Sequence, residues 1–198
     1  MNLRKSLPLL FGSAIVLVGL ATLPQQAAAL GVNLVQNGGF EAGDLSGWTE
    51  VGNTGYGGVA CGGAPEGSCE AFFGPMGSLG GIAQNIATTV GGQYAISFIL
   101  NADGEAPSAL QVDFGGQTLL SLANPSTAGN QTFTFIAPAT SASTMLRFQF
   151  QDDPSFVYLD AVQVSAVPEP ASLALLGTGL LGLMGLRGLI AIRRRATR

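Results

Sequence analysis

The sequence predicts an all-β protein: an antiparallel two-sheet sandwich of jelly-roll type, flanked by an N-terminal signal helix and a C-terminal transmembrane helix. Three observations lead there. Short β-rich runs are separated by clusters of Gly, Asn, Ser and Pro, with no sustained helical periodicity between residues 30 and 166. Several runs alternate apolar and polar residues with period two, so each has a face that another layer must cover. The long apolar segments lie only at the two ends of the 198-residue chain.

The N-terminal segment, residues 1–29, has the order of a secretory signal. Arg4 and Lys5 precede an uncharged, mostly apolar run from Leu9 to Leu23, and Ala27-Ala28-Ala29 supplies small residues for signal peptidase. Pro24 closes the run, which is short for a membrane span.

The central domain, residues 30–166, offers ten candidate strands: Val32–Gln36, Trp48–Val51, Glu70–Phe73, Ile82–Ala87, Gln93–Leu100, Ala109–Phe114, Gln117–Leu122, Gln131–Ala137, Thr144–Gln151 and Phe156–Val164. Tyr94, Ile96, Phe98 and Leu100 share one face of their run; so do Leu110, Val112 and Phe114, Phe133 and Phe135, and Leu146, Phe148 and Phe150. Gly115-Gly116 reads as a two-residue hairpin turn. Ala123–Asn130 reads as a longer crossover between strands.

The C-terminal segment, residues 167–198, begins with Val167-Pro168-Glu169-Pro170, a stiff extended stretch. Residues 171–192 hold one charge, Arg187, within an apolar run long enough to span a bilayer. Arg193-Arg194-Arg195 then places this end in the cytoplasm. The orientation matches an exported central domain.

Composition removes several function classes. The chain has no His, so imidazole bases and His-ligated zinc are absent, and two Cys cannot build a four-cysteine metal site. From Leu30 to Val167 one base, Arg147, faces eleven acids, a formal net charge of −10. Such a surface repels phosphate backbones, so no nucleic-acid partner is expected. No nucleophile–base pair, phosphate loop or cofactor fingerprint is visible, and no cofactor is required.

Cys61 and Cys69 bracket seven residues rich in Gly. In an exported chain this pair is expected to oxidise to a structural disulfide. The spacing is not that of a redox Cys-x-x-Cys, and no neighbouring base lowers a thiol pKa. Asp152-Asp153-Pro154 is an acidic pair on an expected turn. A carbohydrate hydrolase would need two carboxyl groups at a set separation, one with a raised pKa, which the sequence alone does not display. Tyr56, in a Gly-rich loop, is the candidate glycan contact, because an aromatic ring stacks on the apolar face of a sugar. Phe72 and Phe73 are expected on opposite faces of a strand, and Trp48 as a core anchor.

Two resemblances sharpen this reading. Pro-Glu-Pro, an apolar span rich in Gly and Leu, and an Arg cluster, in that order over residues 167–198, resemble the PEP-CTERM sorting signal. That resemblance implies processing near the motif by an exosortase and a Gram-negative host that makes exopolysaccharide. Asn33-Leu34-Val35-Gln36-Asn37-Gly38-Gly39-Phe40-Glu41, with Gly43 and Leu45-Ser46-Gly47-Trp48 after it, resembles the opening of galactose-binding-like carbohydrate-binding modules. Asp153–Val162 is similar to their last strand. This second resemblance implies a jelly roll in which a structural Ca2+ often bridges the first and last strands, here through Glu41, Asp160 and backbone carbonyls. The alternative is that Glu41 caps its own turn and Asp160 accepts strand-end N–H groups.

The function expected from these readings is that of a non-enzymatic surface or extracellular-matrix protein. It is exported across the inner membrane, held transiently by its tail, sorted to the cell surface or beyond, and associated with exopolysaccharide as a glycan binder. The alternatives are a purely structural or adhesive surface protein and a carbohydrate hydrolase working through Asp152 and Asp153.

Overall fold

The computed structural model describes residues 31–127, 129–153 and 155–168. The expected signal segment 1–29, the apolar run 171–192, and the tail residues Glu169, Pro170, Arg193, Arg194 and Arg195 lie outside the described residues. Among the described residues there are ten strands and no helix long and apolar enough to cross a membrane.

The strands are β1 (Thr49–Gly52), β2 (Gly57–Cys61), β3 (Cys69–Phe73), β4 (Gly80–Ala87), β5 (Gln93–Asn101), β6 (Ser108–Phe114), β7 (Gln117–Ala123), β8 (Gln131–Pro138), β9 (Ser143–Asp152) and β10 (Val157–Ala166). They form two five-stranded sheets, β1-β4-β9-β6-β7 and β2-β3-β10-β5-β8, called here the first and second sheet. Every neighbouring pair is antiparallel. The chain crosses between sheets at most connections, the jelly-roll arrangement expected.

The period-two faces meet in the middle. Ile96, Phe98 and Leu100 of β5 and Leu146, Phe148 and Phe150 of β9 are all buried. Rings bridge the sheets: Phe98 meets Phe148 edge-on at 5.1 Å, and Phe73 stacks on Phe150 at 4.6 Å. Each such pair is worth about 0.5–1.5 kcal/mol beyond the burial itself. Trp48 is buried, stacked on Phe40 at 6.0 Å, and its Nε1 donates to Asn37 O at 3.1 Å. Gly115 and Gly116, with φ of 60° and 83°, form the β6–β7 hairpin turn, which needs positive φ at both positions.

Two expectations need correction. Val32–Gln36 does not form a strand. Leu34 N–H donates to Val164 O, but the Asn33 side chain then takes the backbone groups that a longer ladder would use: Nδ2 donates to Val162 O, and Oδ1 accepts from Val35 N and Val164 N. This happens where β10 is irregular, since its register with β5 shifts between Asp160 and Gln163. An Asn side chain competing with backbone pairing ends the strand before it starts. Conversely, Gly57–Cys61, outside every candidate strand and with its first two residues in the expected Gly52–Gly58 loop, is strand β2, paired with β3 along its whole length. Its two glycines carry no strand propensity; the pairing comes from β3 and from the cross-link at its far end.

Candidate glycan-binding face and acidic loop

The solvent face of the first sheet is built by register rather than by any contiguous segment. One row crosses all five strands as Thr49, Ala83, Arg147, Asp113 and Thr118; the next runs Val51, Gly81, Gln149, Gln111 and Ser121. On β4 these rows carry only Gly81 and Ala83, both buried; a Cβ on Gly81 would meet Phe148 O at 2.2 Å, so the backbones of β4 and β9 pack closely here. Arg147 is anchored at the centre of the face: Nη2 and Nε donate to Asp113 Oδ2 at 2.7 and 3.1 Å. Gln111 Nε2 donates to both oxygens of Asp113 at 3.0 Å, and Thr118 Oγ1 donates to Oδ1 at 2.8 Å. Burial alone would raise the Asp113 pKa; the bonds from Arg147, Gln111 and Thr118 outweigh it and hold the carboxyl below its ordinary value. The Arg147 side chain keeps 37% exposure, so the guanidinium is fixed in place and still meets solvent. Sequence reasoning missed this face, because its members come from five separate segments.

Gly81 also lines a small hollow at the edge of the sandwich, together with Glu50, Asn53, Gly55 and Gly57. Tyr56 lies in the same loop, between Gly55 and Gly57. The loop that presents this ring is organised by Asn53, whose Oδ1 accepts from Gly55 N at 3.1 Å and whose Nδ2 donates to Met76 O at 2.9 Å. Tyr56 itself has φ of 59°, a left-handed conformation that costs a non-glycine residue, and its carbonyl accepts from Gly74 N at 2.8 Å. The ring is 63% exposed. Of the other aromatics weighed for exposure, Phe73 is buried, and Phe72 is half-buried on the opposite face against Phe156 at 5.4 Å.

Cys61 and Cys69 form the expected disulfide and are directly paired across β2 and β3. The loop they close is held by the two acids singled out in the sequence. Glu41 Oε1 accepts from Ser68 N and Cys69 N, both at 2.8 Å, which holds its carboxyl below its ordinary pKa. Glu41 thus reaches across to the disulfide loop instead of capping its own turn. A Cβ on Gly67 (φ 63°) would overlap this carboxylate and displace it from its two N–H groups, so glycine is favoured there. Asp160, 1% exposed, accepts from Glu66 N at 2.9 Å and from Ala161 N at 2.6 Å. Burial pushes its pKa up; the two N–H groups oppose this, and the Glu66 and Glu41 carboxylates add to it.

Ca2+ chemistry suits this corner. Around Gly39, Glu66 Oε2 and Asp160 Oδ1 lie 3.5 and 3.9 Å from the Cβ position, beside the Glu41 side chain. All are hard oxygen donors, and Glu41 makes both backbone bonds through Oε1, leaving Oε2. Among the described residues no three acidic or cysteine side chains are grouped to hold a metal by themselves, so backbone carbonyls would complete the shell. Asp153 Oδ2 accepts from Gly77 N at 3.0 Å, whereas Asp152 is buried at the end of β9.

No protein-family model matches the sequence, and no curated protein matches it. Solved structures do. A CBM61 module in complex with β-1,4-galactotriose has a TM-score of 0.53 at 18% identity, covering 68% of this chain and 98% of that one. The CBM22-1 xylan-binding domain of Paenibacillus barcinonensis Xyn10C has a TM-score of 0.51 at 18% identity, covering 67% and 93%. The enzymatically active domain of bacteriophage CBA120 tailspike protein 4 reaches 0.54 at 14% identity; the match covers 69% of this chain but only 22% of the tailspike chain. At these identities the likeness is one of fold: the domain is built as carbohydrate-binding modules are built, a two-sheet jelly roll.

Proposed function

We propose that this is a non-catalytic glycan-binding module of an exported protein, and that polysaccharide lies across the Arg147-centred solvent face of the first sheet. The observation that carries the reading is the polar face itself. Arg147 is pre-oriented by Asp113 and still meets solvent, and Gln111 and Gln149 supply amides beside it. Such fixed donors recognise hydroxyl groups at low ordering cost. Tyr56 adds an exposed aromatic surface on the loop between β1 and β2. The carbohydrate-binding modules of like fold support this reading and suggest probes.

The test is isothermal titration and affinity electrophoresis of the full chain with β-1,4-galactan, xylan and the producing cell's exopolysaccharide. Retention on at least one, lost in Arg147→Ala, is expected. Absence of retention on all three would overturn the reading and leave a structural or adhesive role.

The proposal extends to sorting and to metal. Processing at the PEP-CTERM-like tail by an exosortase, after signal peptidase has acted, would release the domain from its membrane helix to the surface or matrix. In support, β10 ends at Ala166 and Val167 N makes the last backbone bond, to Gln93 O, so Pro168 begins where the sandwich stops. Mass spectrometry of the mature protein should find a C-terminus near Pro170; one at Arg198 would refute processing. A structural Ca2+ held by Glu41, Asp160 and neighbouring carbonyls would neutralise the acids around Gly39 and stiffen the disulfide loop.

A further inference from the structure

We propose a second, separate divalent-cation site at the loop end of the first sheet, where β9 stops, with Asp152 as its buried ligand and Asp103 as its partner. The alternation that buries Leu146, Phe148 and Phe150 continues to Asp152, so its side chain is directed between the sheets. It is 1% exposed, and its Oδ1 is buried with no hydrogen-bond partner. Leaving such an oxygen unsatisfied costs about 1–3 kcal/mol, more for a charged group. The other buried aspartates do not bear this cost: Asp113 has three donor side chains and Asp160 two N–H groups.

What surrounds Asp152 makes the site specific. Ser155 stands between the two carboxylates, its hydroxyl bonded to Asp103 Oδ2 and its backbone N–H directed to Asp152. Asp103, exposed, bridges to Ser126, and its Oδ1 accepts from Glu105 N at 3.0 Å. The backbone is tied on both sides, with Asp152 N on Pro75 O and Asp153 N on Pro107 O. The charges of Asp103, Glu105 and Asp153 add to burial in pushing the Asp152 pKa up to about 6. No base offsets them, because Arg147 is bound to Asp113 and is the one Lys or Arg between residues 31 and 168.

Two acids and irregular loops offer only hard oxygen. With no His in the chain and both Cys in a disulfide, the ion belongs to the Ca2+ class rather than to zinc or copper. Since no three acidic side chains are grouped among the described residues, loop carbonyls and water complete its shell. This site shares no residue with the Glu41–Asp160 corner. A bound ion would tie the β5–β6 connection to the β9–β10 connection.

The test is calorimetric titration of the EDTA-treated full chain, kept in detergent, with CaCl2, together with its melting temperature. Asp152→Asn should lower the Ca2+ stoichiometry by one relative to the wild type. In a Glu41→Gln/Asp160→Asn background, one Ca2+ should remain and should be weakened by roughly a hundredfold or more on adding Asp152→Asn, beyond the cost of outer-shell changes. Asp103→Asn, on the exposed side, should weaken the same ion without disturbing the core. Unchanged stoichiometry and unchanged thermal response in Asp152→Asn and Asp103→Asn would overturn the proposal and leave Asp152 as a buried carboxyl with an unpartnered oxygen that the fold tolerates.

Discussion

Asp113 and Asp152 are buried almost equally, at 3% and 1% exposure, in strands that pair with each other in the first sheet. Their surroundings differ completely. Asp113 takes the domain's single base, an amide and a hydroxyl; Asp152 has an orphan oxygen and three acidic neighbours. Burial therefore does not tell what a carboxylate does for a fold. The donors around it do. One aspartate is part of the scaffold that orients Arg147; the other keeps one oxygen without a partner among the described residues.

The largest effect expected from breaking this comparison is at the satisfied member. Arg147→Met keeps the aliphatic stem but leaves Asp113 with only Gln111 and Thr118. Stranding one partner of a buried pair costs about 3–5 kcal/mol; because the guanidinium is 37% exposed, about 2–3 kcal/mol is expected here. Urea denaturation measures it directly, and a loss under about 0.5 kcal/mol, the range of ordinary surface changes, would show that the pair does not stabilise the sheet.

The second effect has the opposite sign. In EDTA, Asp152→Asn removes a buried charge, and its amide nitrogen, placed where the unpartnered oxygen lies, can donate toward the neighbouring acids. A gain of about 1 kcal/mol is expected, at the low end of the cost of an unsatisfied group. Destabilisation by Asp152→Asn in metal-free buffer would mean that the charge itself is satisfied by the fold.

Acid sharpens the contrast further. The folded-state pKa of Asp113 is depressed, so its contribution is present above the unfolded value of 3.8 and is lost as pH falls through the lower folded value. Denaturation profiles of the wild type and Arg147→Met should therefore converge below about pH 4, near the ordinary aspartate pKa. Profiles that stay parallel to the lowest pH would place the Arg147 effect elsewhere.

How legible these features are in the sequence follows from the same distinction. β-rich runs between turn clusters disclose nine of the ten described strands, and four of these also show a period-two face, because inward residues such as Phe98 and Phe148 must alternate whatever they pack against. Strand β2 is hidden, since Gly57 and Gly58 carry no propensity and their pairing is decided by β3. The Arg147 face is hidden for a different reason: residues 49, 83, 147, 113 and 118 become neighbours only through register. Asp152 reads as a turn residue beside Pro154. Yet extending the Leu146, Phe148 and Phe150 alternation by one step puts it inside, a signal that the turn chemistry of Asp-Pro masks. Glu41, Asp160 and the disulfide lie in local motifs and are legible one by one, although their meeting at a single loop is not.

The smallest effect on stability, and the most informative about function, is expected at Tyr56. Its ring is exposed and its left-handed backbone favours glycine, so Tyr56→Gly loses little packing and relieves strain. The two changes are each about 1 kcal/mol or less and opposed in sign, since glycine also gains freedom in the unfolded chain. A shift in melting temperature near zero is expected. Where a fold tolerates a strained, solvent-facing aromatic that contributes nothing to its stability, the ring is kept for what it meets outside. Tyr56→Gly should therefore weaken polysaccharide retention while leaving the thermal transition in place, whereas Arg147→Met should change both. Equal retention by wild type and Tyr56→Gly would confine sugar binding to the Arg147 face and take the loop out of the site.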